Sequence, residues 1–412
     1  MVSRGKSIAT WFGWFRETVM SGLDQLFPES YEVSRERFRK KFAFIQERWP
    51  GARLESHMLS GEEDLTIDWV VADALERRDK ILIFINGQHG IEGYIGSGIL
   101  QFFVDNYLPH LNPKRTGLVL VHCINPWGMK NFRRVNALNV DLNRNFIWGP
   151  GRGQADAYFA EKFPNIPYER LSQFLNPQGA INIVPANYWR FLLGLVGRIL
   201  SMGLKKFQGA ISAGQYNFPK GIFFGGQGYQ EETILVKELL RENIGRYAQI
   251  LLVDVHTGYG PRSQMSLVNS SLETRDSQSI QQTFNYPLVV TANPREFYRI
   301  HGDMVDYVYR FVQNEFPDKK LYATSFEFGT YGDSSLAAVR SLRTMILENQ
   351  LHWFGARNQE TKEKTLKDFR ELYLPESETW QAKAISDAEQ AFRGILTAEG
   401  FLEQMTLPYL TR

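Results

Sequence analysis

The sequence predicts an α/β fold, a mixed and mostly parallel twisted sheet flanked by helices, and three observations carry that prediction. From about residue 65 onward, apolar runs of strand length alternate with stretches of helical periodicity. Ile81-Leu-Ile-Phe-Ile85 is apolar at every position, as a strand covered on both faces should be. The strongest runs are each followed by a polar cluster, which is where the ligand crevice of an open α/β sheet lies.

Each element follows from its pattern. Ile8, Trp11, Phe12, Phe15, Val19 and Leu23 recur at helical spacing over 8–23, and a charged amphipathic helix follows over 31–48, ended by Pro50-Gly51. Leu65 to Val71 reads as an edge or meander strand. A helix from Ser97 to Leu108 follows the Ile81 run, and Gly117 to Ile124 is the next strand, closed by the turn Asn125-Pro-Trp-Gly128. Residues 150–185, rich in Gly, Pro, Asn and Gln, read as irregular loops. Residues 187–206 form a strongly apolar helix, read first as buried or lid-forming and second as an interfacial membrane helix. Ile250 to Val255, Met265 to Val268, Leu288 to Thr291 and Leu321 to Phe326 are further strands, and from Ser335 the chain is helical, with an amphipathic segment near 379–396. The expected organisation is a helical extension over 1–50, a catalytic domain over 51–350 with an insertion at about 150–225, and a helical extension over 351–412.

Composition narrows the function. With 412 residues, 43% of them hydrophobic and 22% charged, the chain can bury a large core, which excludes long disorder. Its 47 basic and 45 acidic side chains form no long basic run, so a nucleic-acid partner is not expected. Cys123 is the single cysteine, so no intrachain disulfide forms, and its apolar surroundings point to a buried inert thiol. Arg16 and Glu17 cut short any secretory apolar core, and no window offers the roughly 18 uncharged apolar residues of a membrane span. A cytoplasmic location is expected.

The chemistry sits in the polar clusters: His89 and Glu92, then Arg133, Arg134, Asp141, Asn143 and Arg144, then Asp254 and His256, then Glu327. Taken alone, His89 and Glu92 also suit a glycine-rich turn, and each of the others also suits a cap or a structural salt bridge. Their shared placement at strand ends favours a site. Two imidazoles and a carboxylate are the ligand set of a catalytic zinc, which keeps one position open. His89, Glu92 and His256 supply it, and Glu327 is a carboxylate free to move a proton. Nearby arginines suit an oxyanion or a substrate carboxylate. Gly87, Gly90 and Gly93 are expected to let the chain turn tightly there.

These residues resemble the zinc metallocarboxypeptidases. The likeness is carried, in the family's order and over roughly residues 80–332, by Asn86-Gly-Gln-His-Gly-Ile-Glu-Gly93, Asn125-Pro-Trp-Gly128, Arg134-Val-Asn-Ala-Leu-Asn-Val-Asp-Leu-Asn-Arg-Asn-Phe146, Asp254-Val-His-Thr-Gly258 and Glu327-Phe-Gly-Thr330. The late Glu-Phe-Gly-Thr, with Gly214-Gln-Tyr216 and Gly221-Ile-Phe-Phe-Gly-Gly226, is similar to a bacterial branch with no settled substrate. The resemblance implies one Zn2+ in a helix-flanked twisted sheet. It gives Arg134 to the oxyanion, Asn143 and Arg144 to a substrate carboxylate, and Asp141 to a place behind His89; Arg133 is a further candidate for substrate binding, and Asp254 for a place behind the metal ligands. The family's substrate-contacting tyrosine corresponds to Tyr298, Tyr307 or Tyr309. The implied reaction is hydrolysis of an amide bond next to a free carboxylate, in a peptide or, as in the aspartoacylase and succinylglutamate desuccinylase relatives, in an N-acyl amino acid. A zinc-binding module without turnover is the remaining alternative.

Overall fold

In the computed structural model, residues 26–61, 64–149, 159–291 and 300–402 are described. The segment 8–23 expected to be helical lies outside them.

The apolar runs pair into one eight-stranded sheet of order β1-β2-β4-β3-β5-β8-β6-β7. The strands are β1 Arg53–Met58, β2 Thr66–Ala72, β3 Lys80–Asn86, β4 Thr116–His122, β5 Gln249–Thr257, β6 Met265–Asn269, β7 Val289–Thr291 and β8 Lys320–Phe328. β4, β3, β5 and β8 run parallel, while β1 with β2, β2 with β4, and β6 with β8 are antiparallel. The sheet is thus mixed with a parallel centre, as the sequence predicts.

Alternation along the buried strands divides the core into two layers. Leu82 and Phe84 of β3 join the layer formed with helices Tyr31–Arg48, Gly93–Asn106, Ser277–Phe284 and Glu378–Ala398, whereas Ile81, Ile83 and Ile85 join that of Glu231–Ile244 and Met304–Glu315. The last of these helices in the chain, Glu378–Ala398, contributes Ile385, Ala388, Phe392 and Ile395 to the same core as Phe84 and Phe103.

Several elements differ from the sequence reading. β1 was not foreseen, because its Arg-Leu-Glu-Ser-His-Met is half exposed and shows no clean alternation; it takes the edge and leaves β2 inside, fully buried. The supposed loop over 150–185 contains a helix, Ile166–Leu175: the Asn165 side chain accepts from Tyr168 N, proline sits in the first turn, and Tyr168, Leu171 and Leu175 are buried. The apolar helix over 187–206 is two, Pro185–Met202 and Leu204–Ser212, and in the first only Leu195 is buried. Among the described residues no helix is long and apolar enough to cross a membrane.

One buried carboxyl makes the stability of this fold depend on pH. Glu232, in the first turn of Glu231–Ile244, accepts from Asn136 Nδ2 at 3.1 Å. Burial pushes its carboxyl up from 4.5 to about 7. A folded value above the unfolded one means that this group's stabilising contribution is complete below 4.5 and is lost as the pH rises through about 7. Glu232→Gln keeps the acceptor and never ionises. Its melting temperature should exceed that of the parent above about pH 8 and converge with it in acid, a difference that thermal unfolding over a pH series measures.

Candidate metal centre

The chain leaving β3 runs to β4 on one side and the chain leaving the neighbouring β5 runs to β6 on the other, which opens a crevice at the carboxyl ends of β3 and β5. The chain there is shaped by two glycines. Gly87 has φ +69, and a side chain on it would meet Cys123 Cβ at 2.5 Å; one on Gly90 would meet the Gly128 backbone at 2.1 Å. Gly93 differs, with an ordinary helical backbone at φ −58. The close approach lets Gly90 N donate to Arg134 O and Ile91 N to Arg133 O, at 3.1 and 2.9 Å. The turn at Asn125 supports this seam, its side chain accepting from Gly128 N at 2.8 Å. The backbone thereby sets Arg134 beside Glu92.

Three donor atoms converge in the crevice. His89 follows β3, Glu92 ends the short turn Gly90–Glu92, and His256 lies near the end of β5. His89 Nδ1 is 2.9 Å from Glu92 Oε1, His256 Nδ1 is 3.0 Å from Glu92 Oε2, and the two Nδ1 atoms are 3.3 Å apart. All three residues are buried, and their ligand atoms lie within 4.8 Å of one another.

Each imidazole is oriented through its other nitrogen. His89 Nε2 is 3.0 Å from Asp141 Oδ1, and His256 Nε2 is 2.6 Å from Asp254 Oδ2. A neutral imidazole that gives its Nε2–H to such a carboxylate keeps a lone pair on Nδ1, so the two Nδ1 atoms and the Glu92 carboxylate would offer three donors in a buried space. That donor set fits a divalent cation of borderline softness. Among the described residues, His89, Glu92 and His256 are the group whose ligand atoms are placed to hold one metal ion.

The surrounding charges are paired. Arg134 donates to Glu92 Oε1 through Nη1 at 3.0 Å and to Asp141 Oδ2 through Nε at 3.3 Å, and its guanidinium lies 5.7 Å from the centre of the Tyr373 ring. Thr257 N donates to Glu92 Oε2 at 3.0 Å. Burial acts to raise the Asp141 carboxyl, but Arg134 and His89 hold it well below the usual carboxylate range.

Glu327 sits on β8 as the register partner of His256, half-buried, with Tyr259 N donating to its Oε1 at 3.0 Å. Burial pushes its carboxyl up to about 7, opposed by His256 and assisted by the charge of Glu92.

The remaining residues singled out in the sequence are held differently. Arg133 pairs with Glu348 at 2.7 Å, and its Nη1 has no hydrogen-bond partner among the described residues. It lines a small pocket together with Arg134, Asp141, Phe223 and Met345. Phe223 there has φ +57, a costly conformation for a bulky side chain. Arg144 is buried, packs on Gly214, lies 5.9 Å from the Phe223 ring centre and donates from Nη1 to Asn143 O, while its Nε has no hydrogen-bond partner among the described residues. Asn143 turns away to the start of helix Met304–Glu315, donating to Asp303 Oδ2 and accepting from Met304 N, both at 3.1 Å. Tyr309 bonds Glu273, and Tyr307 packs near Phe146 and Trp148; Tyr298 lies outside the described residues. Sequence reasoning missed Tyr259, Asp303 and Tyr373. Tyr259 was visible beside His256, but no local signal ties Asp303 or Tyr373 to the site.

Replacing Asp254 with Asn removes the carboxylate that orients His256. Zinc affinity, read by competition with a chromogenic chelator, should fall about 10- to 100-fold with the circular dichroism spectrum unchanged. Unaltered affinity would remove that orienting role.

A family model described as "Protein of unknown function (DUF2817)" matches residues 27–387. No curated protein matches the chain. Among solved structures, the chain is similar to carboxypeptidase A from Helicoverpa armigera (14% identity over 91% of this chain and 81% of that one, TM-score 0.40). It is also similar to murein-tripeptide amidase MpaA from Escherichia coli O157 (19%, 73% and 92%, TM-score 0.34). A third is a succinylglutamate desuccinylase from Silicibacter sp. TM1040 (15%, 74% and 67%, TM-score 0.36).

Proposed function

The chain belongs to the family described as "Protein of unknown function (DUF2817)", a description that assigns no activity, and from its own side chains we propose a zinc-dependent, carboxypeptidase-like hydrolase that cleaves an amide bond next to a free carboxylate. The observation that carries this reading is the convergence of His89, Glu92 and His256 on one point, with Glu327 on the neighbouring strand. When bound, zinc supplies a Lewis acid for the scissile carbonyl and makes water a better nucleophile at neutral pH.

The chain's own groups do the rest. Glu327 takes a proton from the attacking water and returns it to the leaving nitrogen; a carboxyl poised near neutrality suits both transfers. Tyr259 N–H holds one of its oxygens in place. Arg134 offers its guanidinium to the developing oxyanion, and its bonds to Glu92 and Asp141 fix its position beforehand. Arg144 receives the free carboxylate of the substrate. Asn143 sets the backbone beside it, since its amide is already engaged by Asp303 and Met304. The cavity beside Arg133 and Phe223 receives an adjoining part of the substrate.

Glu327→Gln should keep its zinc and lose about 100-fold or more in turnover. The measurement pairs metal analysis of the purified protein with hydrolysis of peptides bearing a free or an amidated C-terminus and of N-acyl amino acids. Zinc binding with cleavage of the free-carboxylate peptides alone is the expected outcome. Near-normal turnover by the zinc-loaded variant, or a parent protein that takes up no zinc, would overturn the proposal.

A further inference from the structure

The helix Pro185–Met202 has two apolar faces, and the fold uses one of them. Phe191, Leu195, Ile199 and Met202 pack inward against Leu171, Leu175, Phe207 and their neighbours. On the other side, Trp189, Leu193, Val196 and Leu200 are 61%, 72%, 52% and 80% exposed. At 100° per residue these four fall within about 60° of one another around the axis, a continuous outward stripe. Leu204, opening the next helix, extends it at 53% exposed. Isolated exposed leucines need no explanation, but a periodic stripe with a tryptophan marks a surface that something covers.

Charge indicates what covers it. Between Glu169 and Glu231 the chain has no acidic residue and six basic ones: Arg170, Arg190, Arg198, Lys205, Lys206 and Lys220. This stretch carries +6, so the remainder of a chain whose total is +2 is net acidic. Arg190, Lys205 and Lys206 are exposed beside the stripe. A second copy of the chain would bring the same positive charge against itself. An anionic lipid surface instead accepts the leucines and the indole at the depth of its headgroups and pairs with the cations.

We propose that the outer face of Pro185–Met202, with Lys205 and Lys206, docks the protein on an anionic membrane surface without crossing it. The inner face of the same layer includes Ile222 and Phe223, and these also line the cavity beside Arg134, so docking brings the cavity's rim close to the lipid headgroups.

Flotation of the full chain with vesicles tests this, using phosphatidylcholine alone and equal parts of phosphatidylcholine and phosphatidylglycerol. The parent should float with the anionic vesicles. The double variant Leu193→Ser, Leu200→Ser should lose roughly tenfold or more of that binding, and Lys205→Gln with Lys206→Gln should erase the preference for anionic over neutral vesicles. Trp189→Ser, a single change at an exposed site, should show the same direction of loss and serves if the double variant misfolds. A parent that stays with neither vesicle, or Leu193/Leu200 and Trp189 variants that bind like it, would overturn the proposal. So would sedimentation showing a dimer that the Leu193/Leu200 variant dissolves, since a second copy would then occupy the stripe.

Discussion

The pairing of β3 with β5 is the constraint on which the candidate centre depends. His89 and Glu92 follow within six residues of the end of β3, and His256 is carried on β5 itself, so the register Asn86↔Val255 fixes how His89, Glu92 and His256 meet. A slip of one residue would turn His256 to the opposite face and exchange it for an apolar neighbour. The buried, all-apolar middle of both strands makes that slip costly, since it would move every side chain between the two core layers.

The electrostatics follow from the same crowding. Glu92, Asp141 and Asp254 are buried around two imidazoles, with Arg134 bonded to the first two carboxylates. Buried charges are tolerated when they are paired, and breaking such a pair costs several kcal/mol. Arg134 bonds two of these three carboxylates, and a divalent cation held between His89, Glu92 and His256 would add positive charge at the point where the donors converge. The stiffness of its surroundings, from the Gly90 seam to the caps at Asn125 and Asp303, keeps that point in place.

Much of this was legible in the sequence because burial on two faces and chemistry at strand ends leave local signatures. Ile81 to Ile85 and Ile250 to Val255 announce themselves by unbroken apolarity, and the His and Glu residues follow at the points where apolarity stops. β1 gave no such sign because an edge strand satisfies only part of its surface, so polar residues are permitted along it. The helix Ile166–Leu175 was hidden by Pro and Asn, which punctuate loops but also start helices. The apolar helix over 187–206 showed the converse difficulty: composition reports how much greasy surface a helix has, but not whether the protein covers it. Tyr373 and Asp303 could not be placed at all, since they join the site through folding of segments far from it in sequence, Tyr373 by its ring beside Arg134 and Asp303 by its bond to Asn143.

The distance along the chain between His89 and His256 also orders events in time. A helical insertion and a further helix separate β4 from β5, so the closure that brings the two histidines together joins residues 167 positions apart. Contacts of that span form late, after local helices and hairpins, because a long loop must be closed before they repay its entropy. A ribosome-bound chain that has emerged only as far as the insertion owns one imidazole and one carboxylate of the set and lacks Glu327 altogether. Whatever reaction the finished crevice performs, the growing chain lacks Glu327 for it until β8 has been made.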